Sequence, residues 1–77
     1  DNVSNQSILF GKFLYDMAEY ELALSYFLRI HESLSSDDEI IQAAFYNNLG
    51  VCYNALGKRT EAQQSYQRAL ERYERLK

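Results

Sequence analysis

The sequence predicts an all-α chain of four helices paired into two antiparallel hairpins, and three observations carry that prediction. The first is an internal duplication: Gly50 and Ala62 recur thirty-nine residues earlier as Gly11 and Ala23, with the apolar pattern repeating around them. The later copy reads Tyr46-x-x-Leu49-Gly50-x-x-Tyr53, then Ala62-x-x-x-Tyr66-x-x-Ala69. The earlier copy reads Ser7-x-x-Phe10-Gly11-x-x-Leu14, then Ala23-x-x-x-Phe27-x-x-Ile30. A fixed-period repeat marks a solenoid of stacked units and not an enzyme core. The second observation is the absence of proline, the confinement of glycine to Gly11, Gly50 and Gly57, and the scarcity of β-branched residues. The third is an apolar fraction of 47% with 14% aromatics, ample for a core and contrary to disorder.

The first helix is expected over about residues 4–16. Phe10, Leu14 and Met17 can serve its internal packing, whereas Ile8, Leu9, Phe13 and Tyr15 leave apolar surface around much of the rest. Contiguous apolar patches mark contact sites. An upstream repeat, a second copy of the chain or a bound partner would cover this one, with Leu9 and Phe13 as the packing face. The second helix, over about residues 19–34, is apolar nearly all round (Tyr20, Leu22, Leu24, Tyr26, Phe27, Leu28, Ile30) and is expected to be buried between its neighbours.

The third helix is expected from about residue 37 to residue 56. Ser36 and Glu39 have capping-box spacing, and Asp37 and Asp38 suit the positive end of the helix dipole. Gly57 stops it, as glycine does just past helix ends. Thr60 with Gln63 offers a second capping box for a fourth helix reaching about residue 75, with a start one or two residues earlier as the alternative. Its single apolar stripe (Ala62, Tyr66, Ala69, Leu70, Tyr73, Leu76) makes it an outer helix. Turns this short force each pair antiparallel. Gly11, Ala23, Gly50, Ala62 and Ala69 then let the helices approach, while Phe10, Phe27, Leu49, Tyr53 and Tyr66 fill the space beside them.

This arrangement resembles the tetratricopeptide repeat family, whose signature is Trp-x-x-Leu-Gly-x-x-Tyr, then Ala-x-x-x-Phe, then Pro. Residues 43–76 carry the resemblance well, with Tyr46 for the Trp, Tyr66 for the Phe and Glu74 where proline is usual. Residues 4–37 match more loosely, with Ser7 for the Trp, Phe10 for the Leu and Leu14 for the Tyr. The expected organisation is one domain, residues 1–77, with repeats at 4–37 and 43–76. The family's period is 34 residues, so the spacing of 39 here adds five residues around positions 33–41. Lengthened repeats and the run Asn47-Asn48-Leu49 are weakly similar to the kinesin light chain subgroup. The resemblance implies a short right-handed superhelix whose concave side, lined by the first helix of each hairpin, holds peptide segments.

At 100° per residue, Ile8, Leu9, Lys12, Tyr15 and Asp16 share one arc of roughly 120°. The repeat places Asn47, Asn48, Val51, Asn54 and Ala55 on the matching arc of the third helix. An asparagine amide both donates and accepts, so a row of them can pair with an extended peptide backbone. It can equally be solvated, or bond along its own helix. In the groove reading Ile8, Tyr15 and Val51 supply apolar contact, Asn47, Asn48 and Asn54 hold the backbone, and Lys12 and Asp16 select charge. A terminal-carboxylate clamp of the kind one subgroup uses is not expected, because Ile8 stands where its first Lys would be and Lys12 where its first Asn would be.

Other chemistries find little support. The net charge of −3 is divided unevenly: residues 1–42 hold eight acids against Lys12 and Arg29, a net of −6, and residues 43–77 hold six bases against Glu61, Glu71 and Glu74, a net of +3. Opposite ends so charged favour head-to-tail contact or an oppositely charged neighbour. Arg68, Arg72 and Arg75 form a basic strip, but Glu71 and Glu74 interrupt it, Glu71 is placed to pair with Arg75, and a pI near 5.0 opposes nucleic acid. His31 and Cys52 lack a nucleophile turn and an orienting third group, so no enzyme is expected. His31 with Glu32, Asp37 and Asp38 lacks ligand spacing, so neither metal nor cofactor is expected. No apolar run approaches the roughly 20 residues of a membrane span. A single cysteine allows no internal disulfide and suits a reducing, cytoplasmic setting. The start at Asp1 reads as a segment of a longer protein. The resulting expectation is a non-catalytic module binding a protein or peptide in its groove. The alternative is an assembly element that self-associates, or packs on adjacent repeats, through its apolar first helix.

Overall fold

The computed structural model describes residues 2–34 and 37–77. It is all-helical as expected: α1 (Asn2–Asp16), α2 (Tyr20–Ile30), a single 3-10 turn (His31–Ser33), α3 (Glu39–Ala55) and α4 (Arg59–Arg75). Gly11 lies against Phe27, and Tyr15 lies against Tyr20 at 5.1 Å between ring centroids, so α1 and α2 run antiparallel. Gly50 against Tyr66 and Glu39 against Arg75 show the same for α3 and α4.

Both hairpins close by the same turn. Lys58 N–H donates to the Tyr53 carbonyl at 2.8 Å and Gly57 N–H to the Asn54 carbonyl at 3.0 Å. Thirty-nine residues earlier, Glu19 N–H donates to the Leu14 carbonyl at 3.0 Å and Ala18 N–H to the Tyr15 carbonyl at 2.8 Å. This double bond pattern satisfies two carbonyls that the helix leaves open and requires a left-handed residue after the helix. Gly57 meets that requirement at φ 76°, whereas Ala18 is forced into it at φ 64°. A Cβ there costs about 1–2 kcal/mol. Ala18→Gly is therefore expected to stabilise the chain by about 1 kcal/mol and Gly57→Ala to destabilise it by a similar amount, both read as shifts of the urea midpoint at unchanged slope.

The helix starts differ from expectation. Asp38 caps α3, its Oδ1 accepting from Ile40 N–H at 3.0 Å and Ile41 N–H at 3.2 Å. The expected capping box falls on Ser36, which lies outside the described residues. Thr60 does not cap α4, because that helix already begins at Arg59 behind Lys58, which makes no side-chain cap bond. α2 stops four residues short of the expected end. The Ser33 hydroxyl donates to the Ile30 carbonyl at 2.8 Å, a local bond that competes with the helical ladder, and Leu34 is extended and buried.

The helix buried between its neighbours is α3, and not α2 as expected. α3 packs on α1 and α2 on one side and on α4 on the other, burying Ile41, Phe45, Tyr46, Leu49 and Cys52. α2 buries only Ala23 and Phe27, and Leu22 and Leu28 stay half exposed, because it lies at the edge of the stack with α1 and α3 as its neighbours. The inward arc of α1 also differs from expectation. It runs through Ser4, Ile8 and Gly11, with Leu14 and Tyr15 half-buried beside it, so Ile8 joins the core while Phe10 and Met17 face outward.

Candidate partner-binding surface

The arc assigned to the groove is divided by this rotation. On α1, Leu9, Lys12 and Asp16 are exposed, whereas Ile8 is a core residue and Tyr15 packs against the core with its ring on Tyr20. Lys12 Nζ lies 3.3 Å from Asp16 Oδ2, one turn along, so the two charges partly satisfy each other. Both side chains are more than half exposed, and solvent holds such a pair to a few tenths of a kcal/mol. Either group can therefore exchange its neighbour for a ligand charge at little cost.

On α3, Asn47 and Asn54 are exposed, and Asn48 and Val51 are half-buried. Asn48 Nδ2 donates to the Ala44 carbonyl at 2.8 Å. That asparagine bonds along its own helix, and one of its two amide N–H donors is used there. Asn47 and Asn54, seven residues or about two turns apart, are both exposed on one side of α3. α1 packs on α3, and Leu9, Lys12 and Asp16 of the one helix and Asn47 and Asn54 of the other are left exposed. The resulting surface is amide-rich and carries one cation and one anion.

The opposite side of α3 holds an aromatic and cationic cluster that sequence reasoning did not assemble. The His31 ring stacks on Phe45 at 4.8 Å and 9°, and its Nε2 lies 3.3 Å from the Tyr46 hydroxyl. The guanidinium groups of Arg72 and Arg68 sit over the Tyr46 ring at 5.0 and 5.8 Å from its centroid. Tyr46 thus fills the signature Trp position and offers a π face to both cations. Arg75 reaches Glu39 at 3.3 Å, where Glu71 was the expected partner; Glu71 instead approaches Arg72 at 3.7 Å. The basic strip of α4 is therefore taken up by contacts within the chain. The only sign of this in the sequence was the i, i+4 spacing of Arg68 and Arg72 opposite an aromatic position.

Cys52 lies buried in the core, and desolvation pushes its thiol up to about 11, so it stays protonated at neutral pH. The thiol behaves there as a small hydrophobe. Among the described residues no three metal-ligating side chains gather, and no helix is long and apolar enough to cross a membrane.

Comparison with known proteins agrees with this geometry. No curated protein and no solved structure matches the chain. The tetratricopeptide repeat family matches residues 5–75, nearly its full length. The match is to the tetratricopeptide repeat as such and does not single out the kinesin light chain subgroup. With the signature glycines at both helix crossings and the second hairpin closing as the first does, the chain belongs to the tetratricopeptide repeat family.

Proposed function

We propose that this chain is a non-catalytic interaction module that holds a peptide or helix of a partner protein along the open side of α1 and α3. Repeats of this family generally mediate protein–protein contact. The observation that supports this particular surface is the pair of exposed asparagines, Asn47 and Asn54, about two turns apart on α3, with Lys12 and Asp16 exposed on α1. Their amides can donate to and accept from an extended backbone. Leu9 and Val51 supply apolar contact, Lys12 and Asp16 select for charge, and Asn48 offers its carbonyl and its second amide N–H. Ile8 and Tyr15 act from beneath, by holding α1 in place. A cytoplasmic setting fits the lone, buried and protonated thiol.

The test is a random peptide library panned against the immobilised chain. Asn47→Ala combined with Asn54→Ala is expected to weaken binding of the selected peptides at least tenfold, about 1.4 kcal/mol for two lost amides, with helix content unchanged. Undiminished binding by the double variant would sink the groove reading.

A second reading, assembly through α1, is favoured by a separate observation. Val3, Phe10, Phe13 and Met17 form an outward stripe at i, i+3 and i+4 spacing, all more than half exposed.

A further inference from the structure

The chain contains its own template for what covers that stripe. Shifted by thirty-nine residues, Phe10 and Phe13 become Leu49 and Cys52 of α3. Phe10 is 51% exposed where Leu49 is 7%, and Phe13 is 55% exposed where Cys52 is fully buried. Gln6 is likewise exposed where Phe45 is buried. What buries the α3 positions is the far side of the first hairpin. Phe27 meets Phe45 at 6.1 Å between ring centroids, and His31 stacks on the same ring.

A pair of hollows shows the same relation. One, of about 280 Å³, is lined on the second hairpin by Tyr46, Leu49, Tyr53, Glu61, Gln64, Ser65 and Arg68, and Leu28 and His31 of the first hairpin flank it. The other, of about 260 Å³, is lined by Phe10, Leu14, Leu22, Ser25, Tyr26 and Arg29. Every one of these six lies thirty-nine residues before its counterpart. The first-hairpin hollow is the more apolar, with Leu22 for Glu61 and Tyr26 for Ser65, and its walls come from α1 and α2 alone.

The opposite end of the molecule presents the complementary face. Phe27 and His31, which cover α3, correspond to Tyr66 and Leu70 of α4. Tyr66 is 36% exposed where Phe27 is fully buried, and Leu70 and Tyr73 are about half exposed. The half of the chain bearing the α1 face has a net charge of −6, and the half bearing the α4 face +3.

We infer that a second copy of this chain stacks head to tail on the first, its α4 laying Tyr66, Leu70 and Tyr73 over the Phe10–Phe13 stripe and the hollow beside it. The inference rests on the assembly reading and is independent of the asparagine surface. The contact would repeat the hairpin-to-hairpin interface already inside the molecule, with Phe10 and Phe13 in the places of Leu49 and Cys52 and Tyr66 in the place of Phe27. Because the two faces differ, the contact is heterologous, and copies can add at both ends.

The test is sedimentation equilibrium from about 1 to 200 μM on the chain and on Phe13→Glu and Leu70→Glu. Both positions are exposed, so circular dichroism should show unchanged helix content; Phe10→Lys and Tyr73→Lys serve as second variants of each face. The unaltered chain is expected to associate beyond a dimer as concentration rises. Each variant alone should stay monomeric, and an equimolar mixture of the two should form a one-to-one dimer, since each retains the face the other lacks. If Leu70→Glu associates like the unaltered chain while Phe13→Glu does not, α1 packs on α1, and the stacking inference falls while assembly through α1 stands. A chain that is monomeric throughout overturns both, and points to some other occupant of the α1 face.

Discussion

Phe45→Ala is expected to cost about 3–5 kcal/mol, the range for removing a fully buried aromatic side chain. Phe45 is completely buried where the two hairpins meet, with Phe27, His31 and Tyr46 all packed against its ring. A chain of 77 residues has a total stability of about 4–12 kcal/mol at the usual density per residue. The variant should therefore lose most of its stability, and its urea transition should begin with little or no folded baseline. Gln6→Ala alters the equivalent position of the first repeat, where the side chain is exposed, and should stay within about 0.5 kcal/mol of the unaltered chain. Equal losses at both positions would mean that the first hairpin's outer face is buried in solution as well.

The fold could be read from the sequence because its strongest signals are local or repeated. Gly57 ends α3 as a left-handed residue, and the thirty-nine-residue offset locates both helix crossings and both turns. What could not be read is helix rotation and position in the stack. α1 carries apolar residues on several arcs, and periodicity alone does not decide which arc faces inward. The small side chains of Ser4 and Gly11 decide it by admitting the close approach of α2 and α3, and that sends Ile8 into the core and Phe10 outward. In the same way α2 is apolar nearly all round and yet lies at an edge, since burial depends on how many hairpins flank a helix. The asparagine row was visible as a pattern. That Asn48 turns one amide N–H to the Ala44 carbonyl and is half-buried, while Asn47 and Asn54 are exposed, depends on how α3 sits in the stack. The left-handed conformation of Ala18 could have been found by carrying the offset from Gly57 back by one repeat.

Gly11→Ala is expected to destabilise the chain by about 1–3 kcal/mol, although alanine is the better helix former by about 1 kcal/mol. A Cβ at Gly11 would meet the Phe27 ring, with Cε1 at 2.6 Å and Cε2 at 2.9 Å. Phe27 is fully buried and pressed against Phe45, so the ring has nowhere to go. Gly50→Ala raises a similar contact, with Tyr66 Cδ1 and Cε1 at 2.8 Å, but that ring is more than a third exposed and can swing outward. There the gain in helix propensity offsets much of the strain, and the change should be close to neutral. Two glycines at the same position of the same motif thus differ in cost because a helix packs behind one ring and not behind the other. A double-mutant cycle checks the cause. Phe27→Leu shortens the side chain facing Gly11, so Gly11→Ala combined with Phe27→Leu should lose less than the sum of the single changes, by at least about 0.5 kcal/mol in urea denaturation. Strict additivity would show that the Phe27 ring is not what excludes a side chain at residue 11, and the close approach of α1 and α2 would need another explanation.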